Sequence, residues 1–223
     1  MNLTLFDLDG TLIPGDSDHA FGDFMVRIGW ADGGEWSRRN DAFFAQYQAG
    51  QLNLPEYIAF ATSVWRSRPL DEALAVRQRF MAEVMLPMMR DNARALVREH
   101  QERGDLVAIV TATNEFVTAP IAEAFGVPDL IAVQLERDAA TGHYNGAIHG
   151  VPSFQSGKIT RVEQWLAGQG RALKDFEQVH FYSDSVNDLP LMERVSHPIA
   201  TNPSAALAQI AQARGWPILN LFA

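Results

Sequence analysis

Cysteine is absent from the 223-residue chain. Without thiols the chain can form no disulfide framework, no cysteine nucleophile and no thiolate-bound zinc or iron–sulfur cluster. A reducing compartment suits such a chain, and we predict a cytoplasmic location. Its length and its 47% hydrophobic content are enough to bury a core without cross-links, either as one domain or as one domain with a smaller insert.

Positive charge is also scarce. Lysine occurs only as Lys158 and Lys174, and 18 basic residues face 27 acidic ones, which gives a formal net charge of −9. Because nucleic acids and anionic membranes attract basic surfaces, we expect neither as a main partner. The sequence has no apolar run of about 18 residues and no basic N-terminal segment before an apolar one, so we expect no membrane span and no signal peptide. A small anionic molecule and a divalent cation remain as partners.

Short apolar runs that alternate with helical patterns predict an α/β fold. Residues 2–6, 106–110 and 179–182 each form an apolar run that ends at polar residues, as buried parallel strands do. The helical patterns between them predict a Rossmann-like parallel sheet with helices on both faces. Further predicted elements are strands at 130–135, 198–201 and 217–221 and a hairpin within 137–148.

The segment between residues 14 and 86 differs in character, because it contains helical patterns and no predicted strand. The helices predicted there cover residues 19–29, 35–49, 54–65 and 71–85. We therefore predict a core formed by residues 1–13 and 87–223, with an all-helical cap formed by residues 14–86 inserted after the first strand.

Four aspartates follow predicted strands. Asp7 and Asp9 come directly after the first strand, and Asp184 and Asp188 come after a later one. The carboxyl ends of parallel strands meet at one edge of the sheet, which is where ligands bind in such folds. Carboxylates gathered there would repel one another, so we expect a hard metal ion with oxygen ligands among them, together with a lysine.

Thr111, after the second strand, and Lys158, at the start of a predicted helix, complete this group. A hydroxyl, an ammonium group and a metal ion can together neutralise the charge spread over a phosphoryl group. A carboxylate can act as the nucleophile, and a second one two residues away can act as the acid and base. The pattern therefore suits phosphoryl transfer.

The sequence Asp7-Leu8-Asp9-Gly10-Thr11 resembles the first motif of the haloacid dehalogenase-like hydrolase superfamily. Thr111, Lys158 and the segment 184–188 match the other three motifs in order along the whole chain. The helical segment resembles a type C1 cap, and the layout is most similar to the phosphoserine-phosphatase-like branch, subfamily IB. The resemblance implies a magnesium-dependent phosphatase that hydrolyses a small phosphorylated metabolite through an aspartyl-phosphate.

The resemblance also implies a role for each motif residue. Asp7 would be the nucleophile and Asp9 the general acid and base. Mg²⁺ would be bound by Asp7, Asp184 and the main-chain oxygen of Asp9. The residues implied to hold the phosphate are Thr111, Lys158, Ala112 and Asn187. Asp188 would support the metal site, and Thr11 would orient Asp9.

The cap should select the substrate, and here the chain departs from phosphoserine phosphatases. Those enzymes carry a glutamate where this chain has Asp16, and a cap arginine, which grips the substrate carboxylate, where alignment places Ala61. Arg66 or Arg68 remains open as a replacement for that arginine. Asp16 and His19 are three residues apart, so we expect them on one helix face as substrate-binding residues. We predict that phosphoserine is a poor substrate compared with polar phosphate esters that lack a carboxylate.

Other activities remain as alternatives. A phosphotransferase or phosphomutase of the same superfamily would share all four motifs, and a non-catalytic protein that binds phosphorylated metabolites would share the fold. A dehalogenase would lack Asp9, and a phosphonatase would need a cap lysine, which residues 14–86 do not contain. The sequence carries no signal for an oligomeric state.

Overall fold

A computed structural model of the protein describes residues 1–222 as eight strands and ten α-helices with short 3₁₀ and π segments. The strands are β1 Leu3–Phe6, β2 Leu106–Asn114, β3 Asp129–Val133, β4 Leu135–Arg137, β5 Tyr144–Ile148, β6 Val179–Ser183, β7 His197–Thr201 and β8 Ile218–Leu219. The helices are α1 Ser17–Arg27, α2 Glu35–Gln48, α3 Leu54–Arg66, α4 Leu70–Phe80, α5 Leu86–Met88, α6 Asp91–Glu102, α7 Glu115–Ala124, α8 Gly157–Gly168, α9 Leu189–Met192 and α10 Ala205–Arg214. Among the residues described, no helix has both the length and the apolar character needed to cross a membrane.

Six strands form one parallel sheet in the order β3-β2-β1-β6-β7-β8. The chain builds outward from β1 first on one side and then on the other, so the strand order reverses beside β1. Side chains of β1 alternate between two buried cores: Leu5 packs in one and Phe6 in the other. Both faces of the sheet are therefore covered, and the predicted Rossmann-like fold is confirmed.

Several element boundaries differ from those predicted. The strand predicted at 130–135 is two strands, β3 and β4, and only β3 belongs to the large sheet. The hairpin predicted within 137–148 is formed by β4 and β5, which pair antiparallel. The helix predicted at 71–85 continues from α4 through a π segment, Met81–Met85, into α5. Pro87 does not stop it at once: the helical run continues to Met88, with Pro87 following directly after the π segment and Leu86.

Between β1 and β2 the described chain is helical apart from its loops, as predicted, and its helix α3 is fixed to the sheet domain by aromatic packing. The indole of Trp65 in α3 stacks on the ring of Phe116 in α7 with centroids 3.9 Å apart, and Tyr144 of β5 meets the indole edge-on. Next to this stack, Arg66 donates a 2.7 Å hydrogen bond to the Asn145 carbonyl. Gly146 makes room for that guanidinium, because a β-carbon there would lie 2.7 Å from it.

We predict that Trp65→Ala lowers the free energy of unfolding by ~3–5 kcal/mol, because it empties a buried aromatic site between cap and core. Urea denaturation of both proteins measures the loss. Trp30→Ala is the matched control, since Trp30 is only half-buried, and it should cost clearly less. Equal losses in the two variants would contradict a special role for the Trp65 stack.

Candidate active site

Asp7 occupies the end of β1, at the carboxyl edge of the sheet. Its main-chain N–H still donates to the Tyr182 carbonyl at 2.9 Å, so the sheet fixes its backbone. The side chain is 2% exposed, and its Oδ1 accepts a 2.8 Å hydrogen bond from Lys158 Nζ. Its Oδ2 is buried and has no partner among the described residues. One carboxylate oxygen is therefore held by the protein, and the other is left for a ligand.

Lys158 lies in the first turn of α8 and joins two strand ends. Its ammonium donates to Asp7 Oδ1 at 2.8 Å and to Asp188 Oδ2 at 2.7 Å, while the whole side chain is 1% exposed. Burial opposes the charge, but Asp188 and Asp7 outweigh it, so the pKa of Lys158 is raised and the ammonium stays protonated. The Ser183 hydroxyl donates to the same Asp188 oxygen at 2.7 Å. Ser183 thus helps to orient Asp188.

Asp9 is held on the cap side by hydroxyl and amide donors. Its Oδ1 accepts from the Ser17 N–H at 2.6 Å, and its Oδ2 accepts from the Thr113 hydroxyl at 2.8 Å and from the Thr111 hydroxyl at 3.4 Å. Burial, and after it the charge of Asp16, raises the pKa of Asp9 to about 7. Near neutral pH this carboxyl can therefore carry a proton or release one.

The predicted partner of Asp9 was Thr11, and the structure places Thr11 elsewhere. The Thr11 hydroxyl donates to Asp184 Oδ1 at 3.2 Å and accepts from the Asp184 N–H at 3.1 Å, so it holds Asp184. The expectation that Thr11 orients Asp9 is wrong, because its side chain leaves the turn after β1 toward β6. Ser17 and Thr113 take that position, and neither was predicted.

Asp184 completes the acidic edge and lies tightly against the turn after β1. Gly10 adopts a left-handed backbone with φ of 71°, and a β-carbon on it would lie 2.3 Å from Asp184 Oδ2. Burial raises the pKa of Asp184 well above its usual range, and the charges of Asp7 and Asp188 raise it further. A glycine is therefore required at position 10 if Asp184 is to reach the other carboxylates.

The donor set fits a hard divalent cation such as Mg²⁺. Burial raises the pKa of Asp7 to about 7 even though Lys158 lowers it, and the charges of Asp188 and Asp9 add to the rise. One lysine offsets four carboxylates, and the free Asp7 Oδ2 is an oxygen without a partner. Carboxylate and main-chain oxygens are the ligands that Mg²⁺ prefers.

A cavity lies between this edge and the cap. On the core side it is lined by Asp7, Asp9, Thr111, Ala112 and Thr113, and on the cap side by Asp16, Asp18, His19, Phe43, Phe44, Tyr47, Leu52, Leu54 and Tyr57. The predicted phosphate-binding residues Thr111 and Ala112 thus share one cavity with the carboxylates.

The two cap residues predicted to bind substrate are both at the cavity, but each has a structural partner. Asp16 precedes α1 as its N-cap, and its Oδ1 accepts from the His19 N–H at 2.7 Å. Its position outside the helix means that the two side chains do not form one helical face. The His19 ring pairs with Asp41 Oδ1 at 2.9 Å and packs against Phe44. Burial raises the pKa of Asp16 to about 6.

Asn187, predicted to contact phosphate, joins the core to the cap. Its side-chain amide donates to the Tyr47 carbonyl at the end of α2, at 2.9 Å. Beside it, Gln155 reaches the Gly50 carbonyl at 3.4 Å. These two polar contacts join the core to the end of α2 and the loop that follows it.

A carboxylate-rich edge with one lysine, closed by a helical cap, is the arrangement of a phosphatase. A family model described as haloacid dehalogenase-like hydrolase matches residues 4–193, so the chain belongs to that family, as its motifs indicated. It is 41% identical over 219 residues to a protein of Neisseria meningitidis named histidinol-phosphatase, with 98% of each chain covered. It is 29% identical to a Mycobacterium tuberculosis protein named phosphoserine phosphatase, and the match covers 96% of this chain and 68% of the relative.

Solved structures confirm the fold. A Bordetella pertussis protein of unknown function shares 49% identity with a TM-score of 0.93, and 99% of each chain is covered. A substrate-bound phosphoserine phosphatase gives a TM-score of 0.68 at 18% identity, covering 97% of this chain and 91% of that one. At that identity the likeness concerns the fold alone. The predicted enzyme class, a phosphoric monoester hydrolase, is confirmed together with the family.

Proposed function

We propose that the protein is a Mg²⁺-dependent phosphatase that hydrolyses a small phosphomonoester through an aspartyl-phosphate on Asp7. The observation that carries this proposal is that the two carboxylate oxygens of Asp7 have different surroundings. Lys158 fixes Oδ1, and Oδ2 is buried, without a partner, on a residue that lines the cavity. A fixed carboxylate with one unpaired oxygen, next to a second carboxylate, is what covalent phosphoryl transfer requires.

The reaction has two steps. An Asp7 oxygen attacks phosphorus, the bond from phosphorus to the ester oxygen breaks, and Asp9 gives its proton to the departing alkoxide. Asp9 then removes a proton from water, whose oxygen attacks phosphorus and releases inorganic phosphate and free Asp7. A pKa of about 7 lets Asp9 serve in both directions near neutral pH.

The remaining motif residues are proposed to hold the phosphate and the metal. Asp7, Asp184 and the main-chain oxygen of Asp9 would bind Mg²⁺. When bound, the ion would supply positive charge that offsets repulsion between the phosphate and the carboxylates. Asp188 supports this group through its contact with Lys158. The hydroxyl of Thr111, the Ala112 N–H, the Lys158 ammonium and, after it leaves Tyr47, the Asn187 amide would bind phosphate oxygens.

The division of the chain into core and cap belongs to the same proposal. Residues 1–13 and 87–223 would carry the chemistry, and residues 14–86 would select the substrate. This assignment is supported by the cavity lining, because its aromatic side chains come from the cap and its phosphate-binding residues from the core.

For the substrate we propose the phosphate ester of a cationic amino alcohol with a flat ring, as in histidinol phosphate. The similarity to the Neisseria histidinol-phosphatase supports this, and so do the acidic and aromatic walls of the cavity. The three candidate positions offer no arginine side chain for a substrate carboxylate. Ala61 stands where the arginine of phosphoserine phosphatases is expected. Arg66 binds the Asn145 carbonyl instead, and Arg68 lies over the Trp30 ring. Neither arginine is among the residues that line the cavity.

Asp7→Asn should reduce turnover by ~10³-fold or more, because the amide is nearly isosteric but a poor nucleophile. Phosphate release is the assay, and circular dichroism checks the fold. Asp91→Asn, an exposed aspartate on α6, is the control and should behave as wild type. Near-normal turnover by folded Asp7→Asn would overturn the mechanism.

Mg²⁺ should be required for activity, so EDTA should stop phosphate release and added Mg²⁺ should restore it. Because a bound cation relieves carboxylate repulsion, Mg²⁺ should also raise the melting temperature of the free protein. Asp184→Asn should shift that effect to higher Mg²⁺ concentration. An EDTA-resistant enzyme, or a melting temperature that ignores Mg²⁺, would contradict the metal site.

Histidinol phosphate should be hydrolysed with a kcat/KM ~10²-fold above that of phosphoserine, since the added carboxylate would face Asp9, Asp16 and Asp18 without a cation. A panel of phosphate esters with Mg²⁺ and no bisphosphate activator measures this. Release of inorganic phosphate without an activator also separates a phosphatase from a phosphomutase. Equal or better hydrolysis of phosphoserine would show the proposed substrate class to be wrong.

A further inference from the structure

We infer that Asp18 is the specificity-determining residue of the cap and that it binds a protonated nitrogen at the far end of the substrate leaving group. The inference deepens the proposed function and rests on it. The sequence directs attention to Asp16, but the structure gives Asp16 a backbone partner and leaves Asp18 with an unused oxygen.

Asp18 is a buried acid whose second oxygen has no partner. It is the second residue of α1 and is 6% exposed. Its Oδ1 accepts a 3.1 Å hydrogen bond from the Asn114 side-chain amide, and its Oδ2 is buried without a hydrogen bond among the described residues. Leaving such an oxygen unpaired is costly, so it requires an explanation.

A structural role does not provide that explanation. The N-cap of α1 is Asp16, so Asp18 is not needed to begin the helix. The basic side chains of the site have other partners: the His19 ring pairs with Asp41, and Lys158 lies between Asp7 and Asp188. No described residue forms an ion pair with Asp18. The Tyr57 phenol lies near Asp18 but donates no hydrogen bond to Oδ2 within 3.5 Å. Burial raises the pKa of Asp18 to about 7, although Tyr57 lowers it, and a cationic ligand would lower it further.

Asn114 is oriented so that it can only donate to Asp18. Its Oδ1 accepts from the Val117 N–H at 3.3 Å as the N-cap of α7, which leaves the amide NH₂ for the carboxylate. Asp18 Oδ1 is thereby fixed to the core, and Oδ2 is left for a ligand. This is the same division of roles that Lys158 imposes on the oxygens of Asp7.

The surroundings of Asp18 suit a cationic organic group. Phe43 and Tyr57 line the same cavity with ring centroids 5.4 Å apart, and Phe44 lies on the same wall. The Tyr57 phenol lies close enough that Asp18, after burial, helps to raise its pKa. Aromatic faces beside an anion bind ammonium or imidazolium groups well.

The distance from the phosphate end also fits. Thr111 and Asn114 both lie in β2, three residues apart, and an extended strand advances ~3.3 Å per residue. The anchors of the two ends are therefore ~10 Å apart along the strand. The expected nitrogen is separated from the ester oxygen by a few bonds, so that one molecule reaches both Thr111 and Asp18.

The test compares three phosphate esters of equal chain length: 4-aminobutyl, n-pentyl and 4-hydroxybutyl phosphate, each assayed with Mg²⁺. Wild type should prefer the amino ester over the n-pentyl ester by about 10–100-fold in kcat/KM, the range of one charge-assisted hydrogen bond. Asp18→Asn should bring this ratio close to one, mainly by raising KM for the amino ester. Asp23→Asn, an exposed acid on the same helix, should keep the wild-type ratio.

The possible results distinguish the proposed phosphatase function from the proposed role of Asp18. No hydrolysis of any ester with Mg²⁺ would overturn the proposed function itself. Hydrolysis without preference for the amino ester in wild type would overturn the inference alone, even if Asp18→Asn failed to fold. A preference for the hydroxybutyl ester would mean that Asp18 acts as a neutral donor, and an unchanged ratio in folded Asp18→Asn would assign the cation site elsewhere; both results would overturn it.

Discussion

The ammonium of Lys158, held between Asp7 and Asp188, is the interaction on which the organisation of the site depends. Four aspartates at one sheet edge repel one another, and one buried lysine partly offsets that repulsion. The details around it serve the same arrangement. Ser183 holds the Asp188 oxygen that Lys158 also contacts, Thr11 holds Asp184, and Gly10 gives Asp184 the space to approach. The residual negative charge is what the proposed Mg²⁺ would offset.

The cap adds a second charged feature on the opposite wall of the cavity. Asp18 repeats the pattern of Asp7 at a distance: one oxygen is bound by the core, and the other is buried and free. A substrate that carries a phosphate at one end and a cationic nitrogen at the other would satisfy both. Aromatic side chains between the two ends exclude water and strengthen each contact.

The features that could be predicted from the sequence are those that depend on residues close together in the chain. Asp7 and Asp9 follow an apolar run, and Lys158 is one of only two lysines, so the sheet edge and its chemistry could be inferred from local pattern and motif order. Contacts between distant segments could not. Thr113 and Asn114 lie just beyond the second motif. Thr113 meets Asp9 because β1 and β2 are neighbours in the sheet, and Asn114 meets Asp18 because of how the cap packs. The prediction that Thr11 orients Asp9 was wrong for the same reason, since the direction of its side chain is set by Asp184 after β6 and not by its neighbours in sequence.

The cap is attached to the core by buried aromatic packing at one place and by hydrogen bonds at another, and these two attachments differ in strength. The first is the buried Trp65 stack, whereas the second consists of the hydrogen bonds of Asn187 and Gln155 to main-chain carbonyls of the cap. Breaking two hydrogen bonds that water can replace costs far less than separating buried aromatic rings. The contacts at Tyr47 and Gly50 are therefore the weaker of the two attachments. Because Asn187 belongs both to these contacts and to the fourth motif, breaking its hydrogen bond to Tyr47 would also free a motif side chain.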